Sequence, residues 1–387
     1  MRIAWFCIPA HGHTNPTLGL VRELTSRGHE ILYFSFEQFK EKIEAAGARF
    51  ISCDGLGFEM EDKGNADRVG KDMAYAAELL VSSTLALDET VSRMISEFKP
   101  DVIVSDSVAY WGKLAAVKYG IPYVSSTTTF AFNRYSAAYM RQGGLGGLKS
   151  LLSIPKANRQ IARLREHGYP VKSILDIISN DNETNTIVYT SRLFQPRSET
   201  FSERYRFIGP SMRPISAPME KTAEKTVYIS MGTVISQSGI FKSCVEALSA
   251  TGWQIIISTG SNEAGLGSLP PNVSAYRSVD QMAALSISDA FISHCGMNSA
   301  SEALYYGVPL VLFPQTPEQG AVARRVEELG AGVMLRSSAP EDIRCAVETV
   351  LGDGRYSEAA LRISESFKAC GGVREAADFI EECGRRV

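Results

Sequence analysis

Three stretches combine chemically capable residues with positions at the ends of apolar runs. The first is Pro9-Ala10-His11-Gly12-His13-Thr14-Asn15-Pro16, directly after the apolar run 3–8. Pro16 suits the first turn of a helix, and Thr14 or Asn15 can cap it. The spacing therefore predicts both histidines in a loop at a strand end, where side chains face a cleft. A histidine there takes a proton from a substrate, or it is a cap or a satisfied loop residue. The second stretch, Ser105-Asp106-Ser107, follows Val102-Ile103-Val104. Asp106 either caps the helix near Ala109 or meets a first-strand histidine across neighbouring strand ends. In the latter case the carboxylate fixes the tautomer and stabilises the imidazolium, which makes the other ring nitrogen a better base.

The third stretch is FISHCGMNSASEALYYGVPLVLFPQTPEQ at 291–319. The spacing predicts a strand ending at His294, then Gly296, then Asn298 and Ser299 at a helix start. A cation-capable histidine, backbone N–H groups and small polar side chains at a helix N-terminus make an anion site that suits a phosphate. Glu302, one turn further on, either accepts hydrogen bonds from sugar hydroxyls or forms a capping box with Ser299. Glu318 and Gln319, after a further strand, supply acceptors and donors for hydroxyls.

The elements that must position these residues alternate. Apolar runs at 3–8, 30–36, 49–53, 101–105 and 122–126 alternate with helical patterns at 16–26, 38–46, 72–98 and 109–118. After the proline-rich stretch 209–225 a second alternating series begins at 227–231. Such alternation predicts an α/β protein with parallel sheets covered by helices. The expected organisation is an N-terminal domain over 1–208, a linker over 209–225 and a C-terminal domain over 226–370. A terminal helix over 371–387 is expected to pack back toward the N-terminal domain. Residues 131–185 read as a less regular insertion with helical pieces such as 157–166, a lid or pocket wall.

Composition narrows the classes. At 387 residues and roughly 150 per domain, two domains are expected. A net charge of −3 argues against a mainly electrostatic nucleic-acid binder. Seven scattered cysteines without a CxxC pair support neither a disulfide framework nor a zinc site, and suit a reducing compartment. No apolar run approaches the length of a membrane span, and the N-terminus makes a poor signal peptide, so a cytoplasmic protein without stable membrane insertion is expected. The P-loop, G-x-G-x-x-G after a strand, H-E-x-x-H and G-x-S-x-G motifs are all missing.

With PAHGHTNPTLGLVRELTSRGHEI at the N-terminus and HCGMNSASEALYYGVPLVLFPQTPEQ in the second half, the chain resembles the family 1 glycosyltransferases. Within them it resembles the bacterial macrolide-glycosyltransferase, YjiC-like group. The resemblance covers both halves and implies the GT-B fold, two Rossmann-like doubly wound domains facing a central cleft. It implies a UDP-sugar donor, a small-molecule hydroxyl acceptor, and no cofactor or metal. By its pattern His13 is the catalytic base, His11 a bystander and Asp106 the orienting carboxylate. His294, Gly296, Asn298 and Ser299 match the diphosphate contacts, with Gly296 letting the backbone approach the phosphate. Ser230, Gly232 and Thr233 match a loop near the diphosphate, Glu302 the ribose contact, and Glu318 with Gln319 the sugar contact. Val279 and Gln281 fall in the base-binding string, which in the family often reads W-x-P-Q or Y-V-P-Q. Here Ser278 and Asp280 stand in the aromatic and proline places. Arg277 covers the base instead, or is a solvated surface arginine.

The reaction so implied is inverting transfer of a hexose, glucose from UDP-glucose foremost, to a flavonoid, macrolide or other phenol or alcohol. A sugar-nucleotide isomerase of the UDP-GlcNAc 2-epimerase type shares the fold and is the alternative. A lipid acceptor is a further one, because segment 138–155 mixes leucines with Arg141 and Lys149 and could touch a membrane.

Overall fold

The apolar runs pair as two parallel sheets. The computed structural model describes residues 1–55, 72–136, 146–178, 182–232, 238–260 and 265–385. The first sheet contains β1 (Arg2–Phe6), β2 (Glu30–Ser35), β3 (Arg49–Ser52), β4 (Val102–Asp106), β5 (Tyr123–Thr127), β6 (Asn185–Val188) and β7 (Tyr205–Phe207). Its order is β3-β2-β1-β4-β5-β6-β7. The second contains β8 (Thr226–Ser230), β9 (Gln254–Ser258), β10 (Val273–Tyr276), β11 (Ala290–Ser293), β12 (Leu310–Leu312) and β13 (Gly332–Met334). Its order is β10-β9-β8-β11-β12-β13. In each sheet the chain starts in the middle, winds to one edge, then returns to wind the other way. The reversal falls between β1 and β4 in one sheet and between β8 and β11 in the other. In open parallel sheets ligands bind beyond the strand C-termini at this reversal.

The strands are apolar on both faces because helices cover both. Trp5, Phe6, Tyr33 and Phe34 are fully buried in the first sheet, as are Tyr228 and Phe291 in the second. The rings of Phe6 and Phe34 stack at 4.3 Å, and those of Tyr228 and Phe291 at 4.9 Å.

The chain divides into two units, and the division is not a single cut. The first holds Met1–Tyr189, Arg197–Ser211 and Gly371–Val387; the second holds Thr190–Pro196 and Met212–Cys370. The terminal helix Gly372–Arg385 carries Ala376, Ala377, Phe379, Ile380 and Cys383 into the core of the first unit. Their spacing puts them on one stripe of the helix, which drives its docking there. Short segment 190–196 belongs to the second unit because Arg325 donates to the carbonyls of Leu193 and Phe194 at 2.7 and 3.0 Å. Residues 212–225, read as part of a linker, are fastened to the second unit. Lys221 pairs with Asp289 at 2.6 Å, and the Thr222 N–H donates to the Gln254 side chain at 3.0 Å.

The insertion 131–185 holds helical pieces as expected, the first longer than 157–166: helices Gly146–Glu166 and Ile174–Ile178. Part of the segment suggested to touch a membrane, 138–145, lies outside the described residues. Among the described residues no helix is long and apolar enough to cross a membrane.

Candidate active site

In the first unit the site begins where β1 hands over to its helix. That helix spans His11–Ser26, so His11 and His13 lie in its first turn and not in a preceding loop. The cap is Ala10, in an extended conformation, and neither Thr14 nor Asn15 caps the helix. The Ala10 carbonyl accepts from the His13 and Thr14 N–H groups at 3.0 and 2.9 Å. Pro16 lies inside the helix, offering no N–H to the carbonyl four residues earlier. The early start prevails because it buries Thr14, Pro16, Thr17, Leu20, Val21 and Leu24 together. His11 packs edge-on against Phe39 at 4.9 Å.

Asp106 is the last residue of β4, next to β1 in the sheet, where Phe6 is in register with Ser105. Its side chain is fully buried. Asp106 does not cap the helix, whose N-cap is Ala109 without a side-chain cap bond; its second reading, the meeting with a first-strand histidine, is the one the geometry shows. Oδ1 accepts from the Val108 N–H at 3.0 Å, closing the turn before helix Tyr110–Tyr119. Oδ2 lies 2.7 Å from His13 Nδ1. A third group, absent from the sequence reading, joins them: the Thr128 hydroxyl, 3.1 Å from the same nitrogen. The only sequence signal for it is a run of hydroxyl residues, 125–129, across the end of β5.

In the second unit Ser230 ends β8 and Ser293 ends β11, and the two are in register. His294 follows at once. Its ring is wedged between two glycines. A Cβ on Gly296 would lie 2.6 Å from Nε2, and a Cβ on Gly232 would lie 2.8 Å from Nε2 and Cε1. The histidine ring is thus one reason for glycine at 296. Cys295, between them, has a left-handed backbone (φ 64°), strain of the kind that clusters at functional sites. Thr233 lies outside the described residues.

The His294 ring is held on the neutral side. Burial lowers its pKa, and the Ser230 backbone only partly opposes this. Among the described residues its Nδ1 is buried without a hydrogen-bond partner. Burial therefore disfavours the charged form of this cation-capable ring, and a ring N–H donor is present in either form.

Helix Met297–Tyr305 starts after its N-cap Gly296, which makes no side-chain cap bond, and Asn298 and Ser299 stand in its first turn. Of the two readings of Glu302, the capping box with Ser299 does not form, since the N-cap is Gly296. Glu302 instead accepts from the Gln281 amide. That amide also reaches the Ser299 hydroxyl at 3.4 Å, and the Gln281 carbonyl accepts from Tyr228 at 3.2 Å. Burial raises the Glu302 carboxyl to about 7, with Gln281 and Arg213 opposing and Asp280 adding to the rise. The folded protein thus binds a proton here that the unfolded chain releases near pH 4.5. Stability should fall as pH rises through the window from about 4.5 to 7 and stay level with respect to this group above it. Glu302→Gln should flatten that slope in urea titrations at pH 5 and 8; an unchanged slope assigns it to other groups.

Asp280 explains the departure in the base-binding string. Its Oδ1 caps helix Gln281–Ser286 through Met282 and Ala283. Its Oδ2 accepts from the Ser216 N–H and hydroxyl at 2.7 and 2.5 Å. Burial would raise this carboxyl, but the Ser216 hydroxyl and surrounding backbone N–H groups outweigh it and hold it at about 2. A carboxylate here does what a proline cannot, tying the 212–225 segment to the helix that carries Gln281. Val279 is half-buried, while Arg277 and Ser278 are exposed.

Glu318 and Gln319 open helix Pro317–Glu328, capped by Thr316. Glu318 is exposed. The Gln319 carbonyl is engaged locally, accepting from the Gln315 N–H at 2.8 Å.

The His13–Asp106 pair stands at one sheet reversal and the start of helix Met297–Tyr305 at the other, and the chain as a whole has relatives among known proteins. Residues 242–382 match the family model of the erythromycin biosynthesis protein CIII-like C-terminal domain. The chain is 32% identical to the NDP-glycosyltransferase YjiC of Bacillus licheniformis over 98% of this chain and 96% of that one. It is 31% identical to the demethyllactenocin mycarosyltransferase of Streptomyces fradiae over 98% of this chain and 86% of that one. Among solved structures, the kitacinnamycin glycosyltransferase superposes with a TM-score of 0.85 at 26% identity, covering 99% of this chain and 98% of that one. The fold and these neighbours define a glycosyltransferase of the GT-B fold. The chain belongs to family 1 of these enzymes, in the YjiC-like group.

Proposed function

We propose that this enzyme transfers a hexose, glucose from UDP-glucose foremost, to a hydroxyl of a small-molecule natural product, with inversion at the anomeric carbon. The observation that carries the reading is the 2.7 Å contact between His13 Nδ1 and Asp106 Oδ2. With Nδ1–H given to the carboxylate, Nε2 holds the lone pair and acts as the base. The acceptor hydroxyl gives its proton to Nε2 while its oxygen bonds to the anomeric carbon. The bond from that carbon to the diphosphate breaks, and its electron pair leaves with the nucleoside diphosphate. Attack from the opposite face turns an α-linked donor into a β-glycoside.

The second unit supplies the grip on the donor. Charge on the leaving diphosphate is met by the N–H groups of helix Met297–Tyr305, by Asn298 and Ser299, and by a ring N–H of His294. Ser230 and Gly232 border the same place. Glu302 accepts from ribose hydroxyls, which draws its carboxyl toward the ionised form. Val279 and Gln281 lie toward the base, and Glu318 and Gln319 toward the sugar. The names of relatives that act on demethyllactenocin and oleandomycin support a natural-product acceptor, and two Bacillus subtilis relatives are named UDP-glucosyltransferases. We place the enzyme in the cytoplasm, where its seven free cysteines suit a reducing compartment. No cofactor is required.

The test is mass spectrometry of reactions containing UDP-glucose, EDTA and a panel of macrolides, flavonoids and simple phenols. A gain of one hexose in the presence of EDTA is the expected result. Conversion of the donor alone to an isomer would overturn the transferase reading, and loss of transfer on adding EDTA would overturn the metal-free one.

A further inference from the structure

Thr128 stands one residue beyond β5, the strand beside β4. It is 2% exposed, and its hydroxyl oxygen lies 3.1 Å from His13 Nδ1. Asp106 Oδ2 lies 2.7 Å from the same nitrogen. An ionised carboxylate can only accept, so Nδ1 must present a proton to Asp106. The threonine oxygen therefore faces that same N–H. It takes a share of the proton, and its own O–H points away from the ring.

We propose that Thr128 is a positioning residue for sugar transfer, holding the His13 ring with Nε2 toward the acceptor and sharing the charge of the imidazolium with Asp106. The inference rests on His13 being the base. One hydrogen bond to one oxygen leaves an imidazole free to swing about the N–O line. A second oxygen at the same nitrogen, carried by a different strand end, removes that freedom. Asp106 is itself immobilised by the Val108 N–H on its other oxygen. The two acceptors thus form a fixed cradle around Nδ1. When Nε2 takes the proton, the new charge is spread over a carboxylate and a hydroxyl oxygen and not over the carboxylate alone.

Thr128→Val removes the hydroxyl and keeps the shape; Thr128→Ser keeps the hydroxyl. Both are assayed with an aliphatic alcohol acceptor from pH 5 to 9, with donor KM measured in parallel. Thr128→Val is expected to lower kcat about fivefold, the scale of one shared hydrogen bond, with donor KM unchanged. The acidic limb of kcat should move down by about 0.7 of a pH unit, because the imidazolium loses a partner. Thr128→Ser should restore both. A loss of packing alone would change the amount of active enzyme and leave the limb in place, so an unmoved limb overturns the proposal. So does equal impairment of the valine and serine variants. If His13→Ala keeps its turnover, the base reading itself falls. If His13→Ala is inactive while Thr128→Val behaves as wild type, only the role of Thr128 falls.

Discussion

His13→Ala is expected to slow transfer to an aliphatic alcohol by roughly 10²–10⁴-fold, the usual contribution of a positioned base. Donor KM should stay within about twofold of wild type, since the residue lies in the first unit and the proposed donor contacts lie in the second. The loss should shrink with a phenolic acceptor, whose hydroxyl gives up its proton more easily and so depends less on the base. This graded response separates a lost base from a damaged fold, which would depress both acceptors alike. Asp106→Asn should fall between wild type and His13→Ala. Its amide can still close the turn at Val108 through the carbonyl. But presenting its NH2 to His13 favours the tautomer whose Nε2 carries a proton, the wrong one for a base. Near-full turnover of His13→Ala on an alcohol would remove the basis of the proposed mechanism.

Legibility in the sequence followed how locally each feature is encoded. The donor-side signature lies in one stretch from 291 to 319, so its strand, helix start and polar residues could be placed from spacing alone. The alternation of long apolar runs with helical patterns was enough to predict two parallel sheets. Strands β6, β7, β10 and β13 were not legible as separate elements. They are three or four residues long and show too little periodicity to separate from loops. The start of the first helix was misplaced because Pro16 looked like a first-turn residue, and burial of one helix face overrode that preference. The partner of His13 lies 93 residues away and becomes visible only once β1 and β4 are known to be neighbours. Thr128 is 115 residues away and comes from a third strand, so no spacing rule reaches it. The role of Asp280 depends on Ser216, in a segment that reads as linker.

The glycines around His294 yield the second large effect. Gly296 has φ −59° and ψ 140°, a conformation alanine adopts without strain, so Gly296→Ala tests the ring contact alone. The new methyl group would stand 2.6 Å from Nε2 and must push the imidazole away. The ring is mostly buried and Gly232 blocks its other side, so it cannot retreat in that direction. On the proposed donor site, displacing it takes one N–H from the diphosphate and disturbs the neighbouring helix start. Donor KM should rise about 10–100-fold, the range for losing a hydrogen bond to a charged group. Gly232→Ala should be at least as severe, because its φ of 73° adds about 1–2 kcal/mol of backbone strain to the same collision. The decisive measurement is a double-mutant cycle. In a His294→Ala background there is no ring to displace, so Gly296→Ala should cause little further loss. Strong non-additivity would assign the glycine to the histidine. Additive losses would mean that the backbone at 296 contacts the donor directly, and that the ring is not the reason for glycine there.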